Sequence, residues 1–272
     1  MRTAVIGHVE WVEFARVERV PLRGEIANAG SSFFEPAGGG AVAAVQLARL
    51  GSDCVLYTAF GDDDLARRAT DRLAELGVRV EAAIRDGAST RRAFTFLDDG
   101  GERTITTIGP RLHPELADDL RWGELDACDA VYFVAGDGAV LRRARAARAV
   151  VATARVLDTL SAAGVELDAV VRSANDSAER YKPIDPTPRY VVATAGAAGG
   201  QWTGVEGRTG QWSAAELPGP RRDSYGAGDS FAAGLAFALG RGDGIDDALA
   251  LAARCGATCM TGRGPYERQL EL

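Results

Sequence analysis

Short apolar runs alternate with helix-length segments along most of the chain, and this alternation restricts the fold more than any other feature. In the second half, four apolar runs predict strands, at residues 130–134, 149–153, 169–172 and 190–194. Helical stretches lie between the first three runs, and helices are also predicted at 230–239 and 246–260. Such alternation is typical of a mainly parallel sheet covered by helices on both faces. The sequence therefore predicts an α/β fold.

The first half follows the same pattern, apart from two extended segments. Strands and helices are again predicted in alternation, at residues 3–6, 41–50, 54–60 and 62–76. Residues 9–36 and 91–108 do not fit this core, and the second segment contains the hairpin turn Asp98-Asp99-Gly100-Gly101. We expect both segments to form a small separate sheet. Because no linker rich in Pro or Ser divides the chain, residues 1–272 are predicted to be one domain with a lid.

Charge and cysteine content limit the binding partners and the cellular compartment that we expect for this protein. The 272 residues carry a net charge of -7, which argues against nucleic acid or an anionic membrane as the main partner. The four cysteines are scattered, and the first residues contain no apolar stretch of signal-peptide length. We therefore expect reduced, mostly buried thiols in a cytoplasmic protein.

The sharpest chemical signal is a Gly-rich turn that feeds directly into a predicted helix, at Gly226-Ala227-Gly228-Asp229. At such a helix N-terminus the free backbone N–H groups and the helix dipole favour an anion. Asp229, in the first turn, could accept a proton from an alcohol while the N–H groups hold a phosphoryl group beside it. On the local pattern alone, a structural turn with Asp229 as a helix-start residue explains these residues equally well.

The longer context resembles the ribokinase-like carbohydrate kinases, the phosphofructokinase-B family. Their C-terminal signature is similar to residues 223–231, with Ser224 in the usual threonine position. Their glycine pair, alanine-rich helix and Leu-Gly resemble residues 38–51, and residues 194–199 resemble the family's nucleotide loop. The resemblance covers nearly the whole chain. It implies a three-layer α/β/α fold with a small β lid, ATP and Mg²⁺ as cofactors, and a sugar or nucleoside hydroxyl as acceptor.

The resemblance also implies roles for individual residues. Asp229 would be the general base, and the backbone of Gly226, Ala227 and Gly228 the anion hole. The residues expected to line the nucleotide are Thr194, Gly196, Gly199, Asn175 and Gly256. The residues expected at the acceptor are Glu10, Gly38, Gly39, Gly40 and Arg103, together with Asp229. The lid would cover the acceptor and exclude water, and a homodimer through the lid is consistent with the resemblance.

Two positions depart from the family's acceptor contacts. Alignment through Leu50-Gly51 puts Val42 where the family usually has a sugar-binding asparagine. Val12 stands where an aspartate usually binds sugar hydroxyls. A site without these contacts loses several kcal/mol of discrimination toward a polyol. Glu10, Glu13, Trp11 or Arg103 could instead form a different acceptor pocket, for a less hydroxylated or aromatic substrate.

The segment associated with Mg²⁺ in the family also differs. The usual Asn-x-x-Glu is replaced by Asn175 with Glu179 one residue later, and Asp176 is an alternative carboxylate. A short helix could bring Asn175 and Glu179 to one face, so Glu179 is the candidate to hold the metal through water. Alternatively, Asn175 is only a helix N-cap.

Other enzyme classes lack their motifs. The chain has no GxxxxGK[ST] phosphate loop, no GxGxxG after its first strand and no GxSxG nucleophile elbow. The serious alternative to a kinase is a non-catalytic small-molecule-binding protein on the same fold. Asp229 argues against that alternative, because a pure binding protein needs no base beside an anion hole.

Overall fold

The computed structural model describes all 272 residues, which form two β-sheets and six α-helices. The strands are β1 (Arg2–Ile6), β2 (Glu10–Arg16), β3 (Ser31–Ala37), β4 (Asp53–Gly61), β5 (Arg79–Arg85), β6 (Arg92–Leu97), β7 (Arg103–Ile108), β8 (Ala130–Phe133), β9 (Ala149–Thr153), β10 (Ala169–Ser173), β11 (Tyr190–Thr194), β12 (Gly200–Gly204) and β13 (Thr209–Trp212). The helices are α1 (Gly39–Arg49), α2 (Asp64–Glu75), α3 (Gly138–Ala144), α4 (Leu157–Ala163), α5 (Ala227–Arg241) and α6 (Ile245–Cys259).

The larger sheet has nine strands in the order β13-β12-β11-β10-β9-β8-β1-β4-β5. All neighbouring pairs from β10-β11 through β4-β5 are parallel, and only the β11-β12-β13 end is antiparallel. The predicted parallel α/β core is therefore confirmed. The strand order reverses beside β1, where β4 lies on one side and β8 on the other. In open α/β sheets, ligands bind at the carboxyl ends of the strands next to such a reversal.

Both faces of the large sheet are covered, so the fold has three layers. Alternate residues of a strand point to opposite faces, and β1 shows this directly: Val5 packs in one apolar cluster, and Ala4 and Ile6 pack in the other. The first cluster contains buried residues of α1, α2, α5 and α6. The second contains those of α3 and α4. The three-layer α/β/α prediction is confirmed.

The smaller sheet, here called the lid sheet, has the order β3-β2-β6-β7 and contains strands from both extended segments. β2 and β3 form an antiparallel pair, and so do β6 and β7, while β2 and β6 run parallel. Within residues 9–36, strands occupy both ends and residues 17–30 form the connection.

Several boundaries differ from the sequence predictions. β5 was missed because its side chains are all partly or largely exposed and show no apolar alternation. α5 begins at Ala227 instead of residue 230, directly after the left-handed Gly226. All four cysteines are unpaired and buried, as predicted. None of the helices has the length and apolar character needed to cross a bilayer.

Candidate active site

The amino end of α5 is open to an anion. Gly226 adopts a left-handed conformation, with φ 81°, and caps the helix. The N–H of Ala227 donates weakly to Ser224 O, at 3.4 Å, whereas those of Gly228 and Asp229 have no acceptor in the structure. Free N–H groups at a helix N-terminus favour negative charge. Of the predicted anion-hole residues, Gly228 therefore offers a free donor, and Asp229 adds a second one.

Gly226 has two reasons to be glycine. Its positive φ disfavours a side chain, and a Cβ there would lie 2.8 Å from Cγ1 of Val42 on α1. Val42, at the family's asparagine position, thus packs against the turn, and Val12 is fully buried in the lid sheet. Neither position offers the acceptor a polar group.

The signature turn is fixed by buried hydrogen bonds. The carboxylate of Asp223 accepts from the N–H of Tyr225 at 2.9 Å and from that of Gly264 at 2.7 Å. The hydroxyl of Tyr225 in turn accepts from the N–H of Gly38 at 3.3 Å. The two glycine-containing signatures, far apart in sequence, therefore meet at one point.

The three glycines at the start of α1 have different neighbours. A Cβ on Gly39 would lie 2.9 Å from Oδ1 of Asp229, so Gly39 borders the candidate base. A Cβ on Gly38 would lie 3.2 Å from the His8 ring and 3.4 Å from Cγ of Glu10. Gly40 instead packs against the backbone, 2.7 Å from His8 O. Gly38 and Gly39 thus line the site, and Gly40 lets α1 approach β1.

Asp229 has the electrostatics of a base. Its half-buried carboxylate accepts no hydrogen bond in the structure. Burial raises its pKa to about 6, which Arg103 and Arg155 oppose through their positive charges. The carboxyl is therefore ionised at neutral pH but close enough to its pKa to take up a proton.

A buried charged cluster, here called the His8 corner, lies beside Gly38 and consists of His8, Glu10 and Arg91. Oε1 of Glu10 lies 3.2 Å from Nε of Arg91 and 3.8 Å from Nε2 of His8. Glu10 is 6% exposed and His8 is 9% exposed. Burial lowers the pKa of His8 to about 3, so its ring is neutral. Of these residues the sequence indicated only Glu10.

Arg103 connects the lid sheet to the signature turn. Its guanidinium donates to both the carbonyl and the hydroxyl oxygen of Ser224, each at 3.1 Å. Close by, Arg221 pairs with Glu102 and donates to Gly101 O. Arg103 thus joins the lid sheet to the signature turn, and its charge lowers the pKa of Asp229.

The predicted nucleotide residues lie at the carboxyl ends of β10 and β11 and on α6. Thr194 ends β11, and its hydroxyl donates to Arg172 O at 3.3 Å. Gly196 faces open space, whereas a Cβ on Gly199 would lie 2.1 Å from Trp212 O. On α6, a Cβ placed on Gly256 would lie 3.2 Å from Ala227 O, so the glycine lets α6 approach the start of α5 closely. Packing alone thus accounts for Gly199 and Gly256, while Gly196 leaves room for a ligand.

The segment after β10 is organised by acidic side chains. Glu179 accepts from the Ser173 N–H and pairs with Nε of Arg155 at 2.8 Å. Asp176 pairs with Arg155 and also caps the short 3-10 helix 177–179. The interpretation of Asn175 as the N-cap is therefore wrong: its exposed side chain caps nothing, because Asp176 accepts the bond from Ala178.

The acidic groups here suit a metal that arrives with its own phosphate ligands. No group of three or more His, Cys, Asp or Glu side chains is arranged to hold a metal by itself. The negative charge of Glu179 nevertheless acts on the carboxyl of Asp229, whose pKa it raises. Mg²⁺ in phosphoryl-transfer sites is commonly held by one or two carboxylates together with substrate phosphates.

Sequence reasoning missed His8, Arg91, Arg111 and Arg155. His8 and Arg155 follow the carboxyl ends of β1 and β9, where ligands bind in such folds. Their position just after a predicted strand was the signal in the sequence that could have identified these two residues. Arg91 precedes β6 and Arg111 follows β7, and nothing in the sequence indicates that the two charges act on the same residues.

Comparison with known proteins agrees with this geometry. The family model described as pfkB family carbohydrate kinase matches residues 2–155 and 139–271. An ATP-dependent ribose-1-phosphate kinase of Halopiger xanaduensis is 29% identical in an alignment of 280 positions, which covers 94% of this chain and 91% of that protein.

Two solved structures share the fold. The adenosine kinase of Sinorhizobium meliloti superposes with a TM-score of 0.78 at 19% identity, covering 97% of this chain and 95% of the other. The Arabidopsis thaliana ribokinase bound to ribose and ATP superposes with a TM-score of 0.74 at 18% identity, covering 97% and 93%. With both signatures joined at one site and the family model matching nearly the whole length, the chain belongs to the pfkB family of carbohydrate kinases.

Proposed function

We propose that the protein transfers the γ-phosphoryl group of ATP to a hydroxyl of a small sugar, sugar derivative or nucleoside, with Asp229 as general base. One observation carries the proposal: a carboxylate without hydrogen bonds stands in the first turn of α5 beside free backbone N–H groups. A proton acceptor and an anion site are thus adjacent, and phosphoryl transfer to an alcohol requires both.

The reaction follows from these positions. Asp229 accepts the proton of the acceptor hydroxyl as its oxygen attacks the γ-phosphorus, and the bond from that phosphorus to the β-γ bridging oxygen breaks. ADP leaves with the bridging oxygen. The N–H groups of Gly228 and Asp229 bind the transferring phosphoryl oxygens, and loss of one such donor costs roughly 10²–10³-fold in rate. Positioning and charge stabilisation supply most of the acceleration in such reactions.

ATP is proposed to lie along Thr194, Gly196 and Gly256, with Asn175 at its edge. Support comes from the open space at Gly196, just after the carboxyl end of β11. Mg²⁺ would offset the negative charge of the phosphates when bound, with Glu179 as its candidate ligand through water. Glu179 is already oriented by Arg155 and by the Ser173 N–H.

The acceptor is proposed to lie between Asp229 and the His8 corner, against Gly38 and Gly39. Arg103 and the lid sheet would cover it and exclude the water that would otherwise hydrolyse ATP. The curated relative is named for ribose 1-phosphate, so this compound belongs in any acceptor panel together with ribose, other sugars and nucleosides.

The test is ADP release with MgATP across that panel, with Asp229→Asn as the catalytic variant. Asp246→Asn is the matched control, because Asp246 is also an acid in the first turn of a helix but is exposed on α6. We expect turnover with at least one acceptor and a loss of about 10²–10⁴-fold in kcat in Asp229→Asn only. Since burial raises the pKa of Asp229, the variant should unfold at no lower temperature at pH 8.

Other results would contradict the kinase. Equal losses in Asp229→Asn and Asp246→Asn would remove Asp229 from the mechanism. No turnover with any acceptor, while ATP still binds, would favour the alternative of a non-catalytic small-molecule-binding protein.

We also propose a homodimer through the lid sheet and a cytoplasmic location. All six residues of the edge strand β7 are exposed, including Ile105 and Ile108. An exposed edge with apolar side chains is suited to pairing with another chain. The four unpaired thiols are consistent with a reducing compartment. Neither nucleic acid nor membrane is proposed as a partner.

A further inference from the structure

We infer that the protein has a second ligand site, outside the candidate active site, that binds a nucleoside monophosphate as an effector. The site is a cavity of about 380 Å³ on the large sheet, here called the β11 cavity. Pockets for small molecules commonly have volumes of roughly 300–1,000 Å³. The residues that line the β11 cavity are Arg172, Arg180, Tyr181, Val191, Ala193, Gln201 and Thr203.

The β11 cavity is open because one connection of the large sheet lacks an α-helix. The connections from β4 to β5, from β8 to β9 and from β9 to β10 each contain one, whereas residues 174–189, between β10 and β11, contain only the 3-10 helix 177–179. Val170 of β10 packs in the second apolar cluster with α3 and α4, but no residue of β11, β12 or β13 does. The sheet is therefore uncovered on that face from β11 onward.

The strand register places the lining side chains side by side. Arg172, Ala193 and Gln201 are paired across β10, β11 and β12. In the next row Val191 is paired with Val170, so both rows lie on the face that carries α3 and α4. Residues from three adjacent strands thus form the floor of the cavity.

The β11 cavity carries positive charge that the protein does not neutralise. Arg172 and Arg180 both line it, and no aspartate or glutamate does. Neither guanidinium forms an ion pair or a hydrogen bond. The acids nearest in sequence, Asp176 and Glu179, are instead paired with Arg155. Two guanidinium groups at one cavity without a counter-charge favour an anionic ligand.

A second cavity in the same protein has balanced charges. It has a volume of about 320 Å³ and lies at the amino ends of β1, β4 and β5. Its two arginines, Arg2 and Arg79, are accompanied by two acids, Asp53 and Glu124, and Arg79 pairs with Glu124. We assign no ligand to that cavity. The β11 cavity differs from it in being lined by cations without acids.

The remaining lining groups favour a ligand with an aromatic ring. Val191 and Ala193 form an apolar floor, and the ring of Tyr181 lies at its side, held by packing against the second apolar cluster. Gln201 and Thr203 can both donate and accept hydrogen bonds. A nucleoside monophosphate combines a flat base that has polar edges with a phosphate of close to two negative charges, whose oxygens match the fork of an arginine.

The β11 cavity and the proposed ATP site lie on opposite faces of β11. Ala193 lines the cavity, and the next residue, Thr194, is proposed to line ATP. Consecutive side chains of a strand point to opposite faces. Val192, on the face of Thr194, packs in the first apolar cluster together with α5 and α6. One bound molecule therefore cannot fill both sites.

The two sites are nevertheless linked through the segment that carries Glu179. Arg180 directly follows Glu179, and Arg172 directly precedes Ser173, whose N–H donates to Glu179. The hydroxyl of Thr194 donates to Arg172 O at 3.3 Å. A ligand held by Arg172 and Arg180 would therefore fix the segment at both ends, and it should favour the binding of a magnesium nucleotide.

The test is calorimetric titration with AMP at saturating MgADP, which keeps the nucleotide site filled. Adenosine, ribose 5-phosphate and inorganic phosphate are titrated in parallel, because they separate the contributions of the base, the sugar and the phosphate. The variants are Arg180→Ala and Arg172→Ala, with Arg208→Ala as the matched control. Arg208 is also exposed at this end of the sheet, but its guanidinium lies over Trp202, which packs in the first apolar cluster on the opposite face.

We expect AMP to bind at saturating MgADP, and to bind more tightly than the other three compounds. Arg180→Ala and Arg172→Ala should each weaken this binding by roughly 10- to 100-fold, the range for a hydrogen bond to a charged group. Arg208→Ala should match the wild type. AMP should also raise the affinity for MgADP by roughly 5-fold or more, since coupling between two binding sites is reciprocal. Because Arg180 is exposed, its substitution carries little folding risk.

Four results would overturn the inference. The first is displacement of AMP by MgADP, which would place AMP in the nucleotide site. The second is failure of AMP to bind, or adenosine binding as tightly as AMP. The third is AMP binding that neither Arg180→Ala nor Arg172→Ala weakens. The fourth, an affinity for MgADP that AMP leaves unchanged, would overturn the effector role.

None of these measurements requires turnover of an acceptor. Loss of ADP release in Asp229→Asn tests the proposed kinase, whereas AMP binding in Arg180→Ala tests the β11 cavity. A failure of one is therefore distinguishable from a failure of the other.

Discussion

At the scale of single residues, the site depends on carboxylates whose charge the protein controls. Burial raises the pKa of Asp229 to about 6, and burial also raises the pKa of Glu10. Arg103 and Arg155 oppose the shift at Asp229. The carboxylate of Asp229 is thus ionised near neutral pH but has a pKa only slightly below it. This pKa suits proton uptake from an alcohol.

The raised pKa predicts the pH dependence of activity. A base must be deprotonated to act, so kcat/KM should fall about tenfold per pH unit as the pH drops below about 6. Arg103→Gln removes the largest charge effect that lowers this pKa, and should move the acid limb to higher pH. Steady-state rates between pH 5 and 8.5 would measure both effects. Arg2→Gln serves as the control, and an acid limb that stays fixed in Arg103→Gln would contradict the assignment.

At the scale of elements, the start of α5 is where backbone geometry and chemistry coincide. Gly226 is left-handed and contacts Val42, while Gly228 faces open space two residues later. α6 reaches the same turn through Gly256, and α1 reaches it through Val42. Three helices thus fix the direction of the free N–H groups at the start of α5.

Substitution by alanine should have opposite effects on stability at Gly226 and at Gly228. Gly226→Ala combines a positive φ with a Cβ 2.8 Å from Val42, and should destabilise the fold by roughly 1–3 kcal/mol. It should also lower kcat by at least about 10²-fold by turning the N–H groups away. Gly228→Ala meets no atom and favours the helix, so it should keep or raise stability by up to about 1 kcal/mol.

Urea denaturation and ADP release would measure both variants side by side. Equal stability of Gly226→Ala and Gly228→Ala would show that the turn is not constrained as described.

At the scale of the whole molecule, the lid sheet and the core meet through both apolar and polar contacts. Phe14 of β2 is fully buried and packs edge-on against Tyr225, with ring centroids 4.8 Å apart. Arg103 donates to Ser224, and Arg221 pairs with Glu102. All of these polar side chains are partly or largely exposed, so the polar contacts contribute little to stability individually. The β7 edge of the lid sheet is therefore weakly held, whereas β2 is held to the core by apolar packing.

An acceptor should hold the lid sheet closed. We expect the amides of β7 to exchange with solvent more slowly when the acceptor is bound, because Arg103 then lies between the acceptor and Ser224. Hydrogen exchange followed by mass spectrometry would measure this, with the buried core strand β9 as the unchanged reference. Identical exchange of β7 with and without acceptor would argue against a lid.

Much of the core was predictable because its signals are local. Apolar runs of strand length and the Gly-rich turn at residues 226–229 depend on neighbours in sequence, and they predicted the parallel sheet and the helix that starts at the site. β5 escaped prediction because an edge strand with half-exposed side chains leaves no apolar pattern. The 3-10 helix at residues 177–179 is capped by Asp176 and not by Asn175. Both residue types suit an N-cap, and only the path of the backbone decides which of them takes that position.

The His8 corner was not predictable for a different reason. His8 follows β1, Glu10 begins β2 and Arg91 precedes β6, and an arginine in a sequence gives no sign of which charges it will face. The sequence alone determined the family pattern, the parallel core and the candidate base at the helix start, since these follow from periodicity and short motifs. Only the tertiary structure decided that His8, Glu10 and Arg91 form one buried cluster beside Gly38, because burial and charge at a site are set by residues that folding brings together from distant parts of the chain.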